Sequence, residues 1–172
     1  MREVLKLFAQ ISLMRRGPQD LPASGLLLAL TVAAYIVVNC LVSSVFPPAQ
    51  DWPALLLVDV GFLLLWNALL LRLVGRPERT VQTATAVFGY QLLLAPLLVV
   101  LLWLAPRVHG DPAWEGLVEA ATLVLLVWLV AANSRIVSAA LEWSMGASVA
   151  LVIVQTLADE LLQMTILVPA KN

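Results

Sequence analysis

The fold of this chain is decided by one uninterrupted apolar stretch, residues 24–46, which reads SGLLLALTVAAYIVVNCLVSSVF. The stretch contains no charged residue. A helix needs roughly 20 predominantly apolar residues to cross the hydrocarbon core of a bilayer, which is about 30 Å thick. Because a helix satisfies its own backbone hydrogen bonds in lipid, the stretch predicts a transmembrane helix.

Four further stretches of this kind follow, at residues 54–73, 83–105, 114–134 and 147–168. The 172 residues are 62% hydrophobic and only 12% charged, with a mean hydropathy of +0.95, whereas globular domains carry about 25% charged residues. The sequence therefore predicts an all-α membrane protein, with a bundle of five transmembrane helices in residues 23–172. Residues 134–146 contain Arg135 and Glu142, and they predict either a loop or an extension of the fourth helix.

A short amphipathic helix is predicted before the first span, within residues 1–22. Its apolar side chains follow helical spacing, namely Val4, Leu7, Phe8, Ile11 and Met14. Arg2, Lys6 and Gln10 lie off that stripe, and Gly17-Pro18 ends the segment. Such a helix either lies in the inner headgroup region, with its cations facing anionic lipid, or packs on the cytoplasmic ends of the bundle.

The orientation of the bundle follows from the distribution of its basic residues. Eight of the ten lie on one side of the predicted membrane, namely Arg2, Lys6, Arg15, Arg16, Arg72, Arg76, Arg79 and Arg135. Only Arg107 and Lys171 fall on the other side. Since positive charge is retained on the cytoplasmic side, we expect an inner-membrane protein with a cytoplasmic N-terminus and an external C-terminus.

Several classes of function are disfavoured by the composition. The net charge of -1 and the pI near 5.7 provide no field that would attract nucleic acid. A single cysteine, Cys40, excludes an intramolecular disulfide and a cysteine-based metal site. The one histidine, His109, lies in a loop between spans and is interpreted as a solvated residue. With no nucleophile and base pair, we expect no enzymatic activity, metal or cofactor.

Short motifs lie in the second half of the chain. The third span carries Phe88-Gly89-Tyr90-Gln91 and then Pro96, and the last two spans carry Trp128, Ser138, Ala139, Ala140, Ser144, Gly146, Ser148 and Ala150. These motifs resemble those of the Yip1 family of five-span membrane proteins. The resemblance covers residues 75–155 best and is closest to the compact prokaryotic-type members. The Asp-Leu-Tyr-Gly-Pro motif of eukaryotic members is absent, and only residues 17–22 occupy its place. The resemblance therefore implies a fold, and the family's roles in vesicle traffic are not carried over.

Polar residues inside the predicted spans are the candidates for a functional site. Five lie at a similar distance from the outer ends of their spans, namely Asn39, Asp59, Glu119, Asp159 and Glu160. Carboxylates inside a membrane usually face the bundle interior or a wet cavity. This layer is interpreted either as a cation or proton site that opens outward, or as a set of headgroup-level acids in spans that are shifted by a turn.

A second group of residues is interpreted as helix packing. Gly89, Tyr90 and Pro96 predict a closely packed and kinked third helix. Ala140, Ser144 and Ser148 recur at every fourth position and predict a small-residue stripe. The expected function is that of a non-enzymatic scaffold or accessory subunit that binds lipids, other membrane proteins or a second copy of itself. The alternative is a small transport or channel component that uses the acidic layer.

Overall fold

The structure is a computed structural model, and it describes residues 2–45 and 52–167. These residues form six α-helices: α1 (Arg2–Ser12), α2 (Gly25–Val45), α3 (Trp52–Leu73), α4 (Thr80–Val108), α5 (Pro112–Leu141) and α6 (Met145–Leu167). Two single turns of 3-10 helix, Pro18–Asp20 and Pro77–Arg79, precede α2 and α4. Within the described ranges, every regular element is helical.

Helices α2 to α6 are each long and apolar enough to cross a membrane. This confirms the predicted fold class, an all-α membrane protein with five membrane-spanning helices. The helices begin and end within a few residues of the predicted spans, with one exception. Helix α5 continues to Leu141, so the span predicted at 114–134 is too short and residues 134–141 extend the helix.

The extension of α5 has a local physical reason. Arg135 is exposed and can reach solvent while the helix continues past it, so a single cation does not end the helix. The helix ends at Glu142, which adopts the left-handed conformation with φ 57° and ψ 35°. At the opposite end, the Asp111 side chain accepts a hydrogen bond from the Ala113 N–H at 3.2 Å, and Pro112 occupies the first helical position.

Helix α4 is the central element and packs against α1, α2, α3 and α5. Residues 83–90 at its start are all buried. Small side chains at Ala84, Ala86 and Gly89 allow the neighbouring helices to approach this segment closely. Helix α6 completes the bundle by packing against α5 and α3.

Helix α1 packs on α4 and α5. Phe8 and Ile11 of its apolar stripe are buried in the main hydrophobic core. The ring of Phe8 lies directly over Gly89, where a Cβ atom would overlap it. The indole N–H of Trp128 in α5 donates a hydrogen bond of 2.8 Å to the Ser12 carbonyl, which ties the end of α1 to the bundle.

Candidate functional site

A polar cavity of about 270 Å³ lies between α3, α4, α5 and α6. Each of these helices contributes at least one polar side chain to its wall, and the set is Asp59, Tyr90, Gln91, Asn133, Gln155, Thr156 and Asp159. Using a rise of 1.5 Å per residue, Asp59 lies about 10 Å from the start of α3 and Asp159 about 12 Å from the end of α6. Both carboxylates are therefore well inside apolar helices.

The carboxylate of Asp59 is held by a contact from α2. The Tyr35 hydroxyl donates a hydrogen bond of 2.8 Å to Asp59 Oδ2. The Tyr35 ring meets Phe88 edge to face, with the ring centroids 5.2 Å apart, so the hydroxyl is fixed by packing in the core. The side-chain amide of Asn39 donates to the Tyr35 carbonyl at 2.9 Å, which places Asn39 beside this pair and satisfies its own N–H.

Asp159 has one satisfied oxygen and one free oxygen. Its Oδ2 accepts a hydrogen bond of 2.8 Å from the side-chain amide of Gln163, while its Oδ1 is buried and accepts none. Two amide oxygens that belong to cavity-lining residues, Gln91 Oε1 and Asn133 Oδ1, are also buried without a hydrogen-bond partner. Asn133 as a whole is only 6% exposed. Burying such an acceptor without a partner costs about 1–3 kcal/mol, so these oxygens are unfavourable unless a donor or a cation meets them.

None of the described residues that line the cavity carries a positive charge. The two carboxylates thus have no ionic partner in residues 2–45 and 52–167, although charges at membrane depth are normally paired. Among the described residues, no group of three or more His, Cys, Asp or Glu side chains could hold a metal ion. The side chains around the cavity therefore offer oxygen ligands only from two carboxylates and from neutral amides and hydroxyls. These are hard oxygen ligands, and they do not form a cluster of carboxylates.

The acidic layer expected from the sequence divides into two parts. Asp59 and Asp159 share the cavity, and Asn39 supports Tyr35 next to it. Glu160 is exposed. It is one residue further along α6 than Asp159, a rotation of about 100°, and does not line the cavity. Glu119 is also exposed and lies beside a separate pocket with His109 and Glu115.

The residues predicted to pack helices together also lie in different parts of the structure. Gly89 and Tyr90 are in the buried segment of α4, whereas Pro96 is exposed because it lies beyond that segment. Ala140 and Ser148 are buried, but they belong to different helices, since α5 ends at Leu141 and α6 begins at Met145. Ser144 lies between those helices and caps α6, its hydroxyl accepting from the Ala147 N–H at 3.3 Å. The three residues therefore do not form one stripe on a single helix.

Six contributors to the site were not assigned to it from the sequence, namely Tyr35, Tyr90, Gln91, Asn133, Gln155 and Thr156, of which Tyr90 was interpreted as a packing residue. Two of them carried a usable signal, because Tyr35 precedes Asn39 by four residues and Gln155 precedes Asp159 by four. Polar residues at this spacing lie on one face of a helix. Comparison of the chain with known protein families, curated proteins and solved structures finds no match.

Proposed function

We propose that this multi-pass integral membrane protein is not an enzyme and that it binds a monovalent cation in the polar cavity, as a small component of membrane transport. The observation that carries this proposal is that the cavity contains Asp59 and is lined by three residues, Gln91, Asn133 and Asp159, that each have a buried side-chain oxygen without a hydrogen-bond partner. A bound cation would take these oxygens as ligands and offset the negative charge of the carboxylates.

A monovalent ion fits the donor set better than a divalent one. Calcium sites use six to eight oxygen ligands, usually with several carboxylates. Here one oxygen of each carboxylate is already occupied, by Tyr35 or by Gln163. The cavity volume of about 270 Å³ leaves room for water beside the ion, since one water molecule occupies about 30 Å³ in the liquid. A partly hydrated Na⁺ or K⁺ therefore matches the available ligands and the size of the cavity, and it offsets one of the two carboxylate charges.

The test is a melting experiment on detergent-purified protein. Na⁺ or K⁺ replaces N-methylglucamine at constant ionic strength, and the melting temperature is followed as the cation concentration rises. We expect the cation to stabilise the wild type, because a ligand that binds only the folded state at 100 times its Kd adds about 2.7 kcal/mol. Asp159→Asn should melt at the same temperature whichever cation is present.

Glu160→Gln is the matched control, since it removes one charge from the adjacent residue outside the cavity. It should respond to the cation as the wild type does. Identical curves for the wild type in Na⁺, K⁺ and N-methylglucamine would refute the proposal. Cation flux in liposomes containing the protein then separates transport from binding alone.

A scaffold or accessory subunit is the second candidate function. The observation that favours it is the exposed apolar surface of α2, on which Leu26, Leu30 and Val37 are each more than half exposed. These side chains of α2 are available to other membrane proteins, lipids or a second copy of the chain. Proteins that co-purify after mild detergent extraction, and are lost from a variant with altered α2 surface residues, would support it. The relationship to the Yip1 family also stays a proposal, supported by the short motifs of residues 75–155.

A further inference from the structure

A second and larger cavity is an open groove of about 580 Å³ between α4 and α5, and none of its lining residues is charged. We define the α4–α5 groove by its main walls, Leu94, Leu97 and Leu101 on α4 and Val124, Leu125 and Trp128 on α5. The end of α1, from Ala9 to Leu13, closes it at one end. Its volume is about four times that of a dry cavity that accepts benzene, which is about 150 Å³.

The groove offers no free polar group to a ligand. Ser12 is its one hydroxyl-bearing residue, and that hydroxyl donates to the Phe8 carbonyl at 2.9 Å. The indole N–H of Trp128 is occupied by the Ser12 carbonyl. Leu97 and Val124, on opposite walls, are 55% and 65% exposed. Because both walls belong to membrane-spanning helices, the occupant must be hydrocarbon.

The charge at the closed end of the groove favours a lipid with an anionic headgroup. The chain turns sharply after α1, with the Arg15 N–H donating to the Gln10 carbonyl at 2.8 Å, so Arg15 stays next to the residues that close the groove. Arg16 is paired with Asp20 at 3.2 Å, whereas Arg15 is exposed and forms no ion pair with any residue that the structure describes. An unpaired arginine beside an apolar groove complements a lipid phosphate.

The shape of the groove argues against a helix from another protein. Leu93 and Leu101, which bound it along α4, are eight residues apart, a length of about 12 Å. The end of α1 blocks continuation in one direction. Leucine and valine dominate the walls, while close helix contacts in membranes use small residues. From these observations we infer that the α4–α5 groove binds one acyl chain of an anionic phospholipid, whose headgroup lies beside Arg15.

The experiment measures lipid binding to the full-length protein in detergent by native mass spectrometry. Dioleoyl phosphatidylglycerol and dioleoyl phosphatidylcholine are titrated separately. We expect phosphatidylglycerol to bind more tightly, and Arg15→Gln to weaken it about fivefold, the factor that corresponds to about 1 kcal/mol for one basic residue near an anionic surface. Phosphatidylcholine should bind Arg15→Gln as it binds the wild type.

Leu97→Trp fills the groove and should lower the affinity for both lipids, and Val124→Trp should do the same from the opposite wall. Both positions are more than half exposed, so the two variants test the groove without overpacking the core. Leu65→Trp and Arg72→Gln are the controls, because both residues are exposed on α3 away from the groove.

Unchanged lipid binding by both tryptophan variants would overturn the inference. An equal loss of both lipids in Arg15→Gln would overturn the headgroup assignment. A concentration-dependent dimer that either tryptophan variant disrupts would show that the groove receives a second copy of the chain instead of a lipid.

Discussion

Polar side chains within the long helices differ in whether the backbone of their own helix can supply a hydrogen-bond partner. The hydroxyls of Thr31 and Thr85 and the amide N–H of Asn67 each donate to the backbone carbonyl four residues earlier. A helix interior has such carbonyl acceptors but no free N–H donor, so the oxygen of an amide or a carboxylate must find its partner elsewhere. This asymmetry explains why Gln91, Asn133 and Asp159 are left with unpartnered oxygens.

At the same scale, Gly89 is required by a single contact. A Cβ atom there would overlap the Phe8 ring, so Gly89→Ala should lower the melting temperature of the detergent-purified protein. Overpacking of this kind typically costs about 1–3 kcal/mol. In a Phe8→Ala background the same change should be nearly neutral, since the obstructing ring is gone.

Gly61→Ala provides the control for this pair of measurements. Gly61 lies inside α3, and an added Cβ atom would meet nothing within 4 Å. Alanine has the higher helix propensity, so Gly61→Ala should leave the protein as stable or slightly more stable. Equal destabilisation by Gly89→Ala with and without Phe8 would show that the Phe8 contact is not the reason for the glycine.

At the scale of the element, the end of α5 is held by two arginines that lie before α4. Arg76 makes a two-pronged ion pair with Glu142, with N–O distances of 2.5 and 2.6 Å. Arg79 contacts the same carboxylate at 2.9 Å and donates to the carbonyls of Ala139 and Ala140. These carbonyls belong to the last turn of α5 and lack partners within the helix, so Arg79 also caps α5.

This cluster predicts a pH dependence of stability. The hydrogen bonds from Arg76, and then those from Arg79, lower the pKa of Glu142 from 4.5 to about 2. A lowered pKa in the folded state means that the carboxylate stabilises the fold fully above about pH 4.5 and loses this contribution as the pH falls towards 2. Glu142→Gln should therefore melt below the wild type at pH 7, and the difference should shrink as the pH is lowered from 4.5 to 3.

Glu78→Gln is the control, since Glu78 is an exposed carboxylate in the turn between Arg76 and Arg79. It should melt close to the wild type across the same range, because an exposed charge contributes little. A difference between the wild type and Glu142→Gln that stayed constant from pH 7 to 3 would mean that the carboxylate charge does not stabilise the end of α5.

At the scale of the whole molecule, the sequence predicts the spans well because length and hydrophobicity are properties of each segment alone. The site depends on which helix faces meet, and this depends on packing. Asp59 and Asp159 come together because α3 packs on α6. Glu119 has a similar predicted depth but is exposed on α5. Asn133 was not considered because the predicted fourth span ended one residue after it, whereas α5 continues for seven residues beyond Ser134.

The orientation of the bundle yields the last prediction. Four arginines lie near the start of α4, namely Arg15, Arg16, Arg76 and Arg79. The Gln82 side chain donates to the Leu21 carbonyl at 2.6 Å, which brings the segment after α1 to this end of α4, and Arg79 contacts the end of α5. Positive charge concentrated at one end of a bundle is retained in the cytoplasm. A reporter fused after Arg76 should therefore read as cytoplasmic, and one fused after Asn172 as external, since five spans separate the N-terminal and C-terminal segments.

The reporters should be an enzyme active only outside the cytoplasm and a fluorescent protein that matures only inside it. As a control for the charge argument, replacing Arg76 and Arg79 with Gln should weaken the bias without adding or removing a span. A cytoplasmic signal after Asn172 together with one after Arg76 would require an even number of spans between Arg76 and Asn172. That result would mean that one of the three long helices that follow Arg76, α4 to α6, does not cross the membrane.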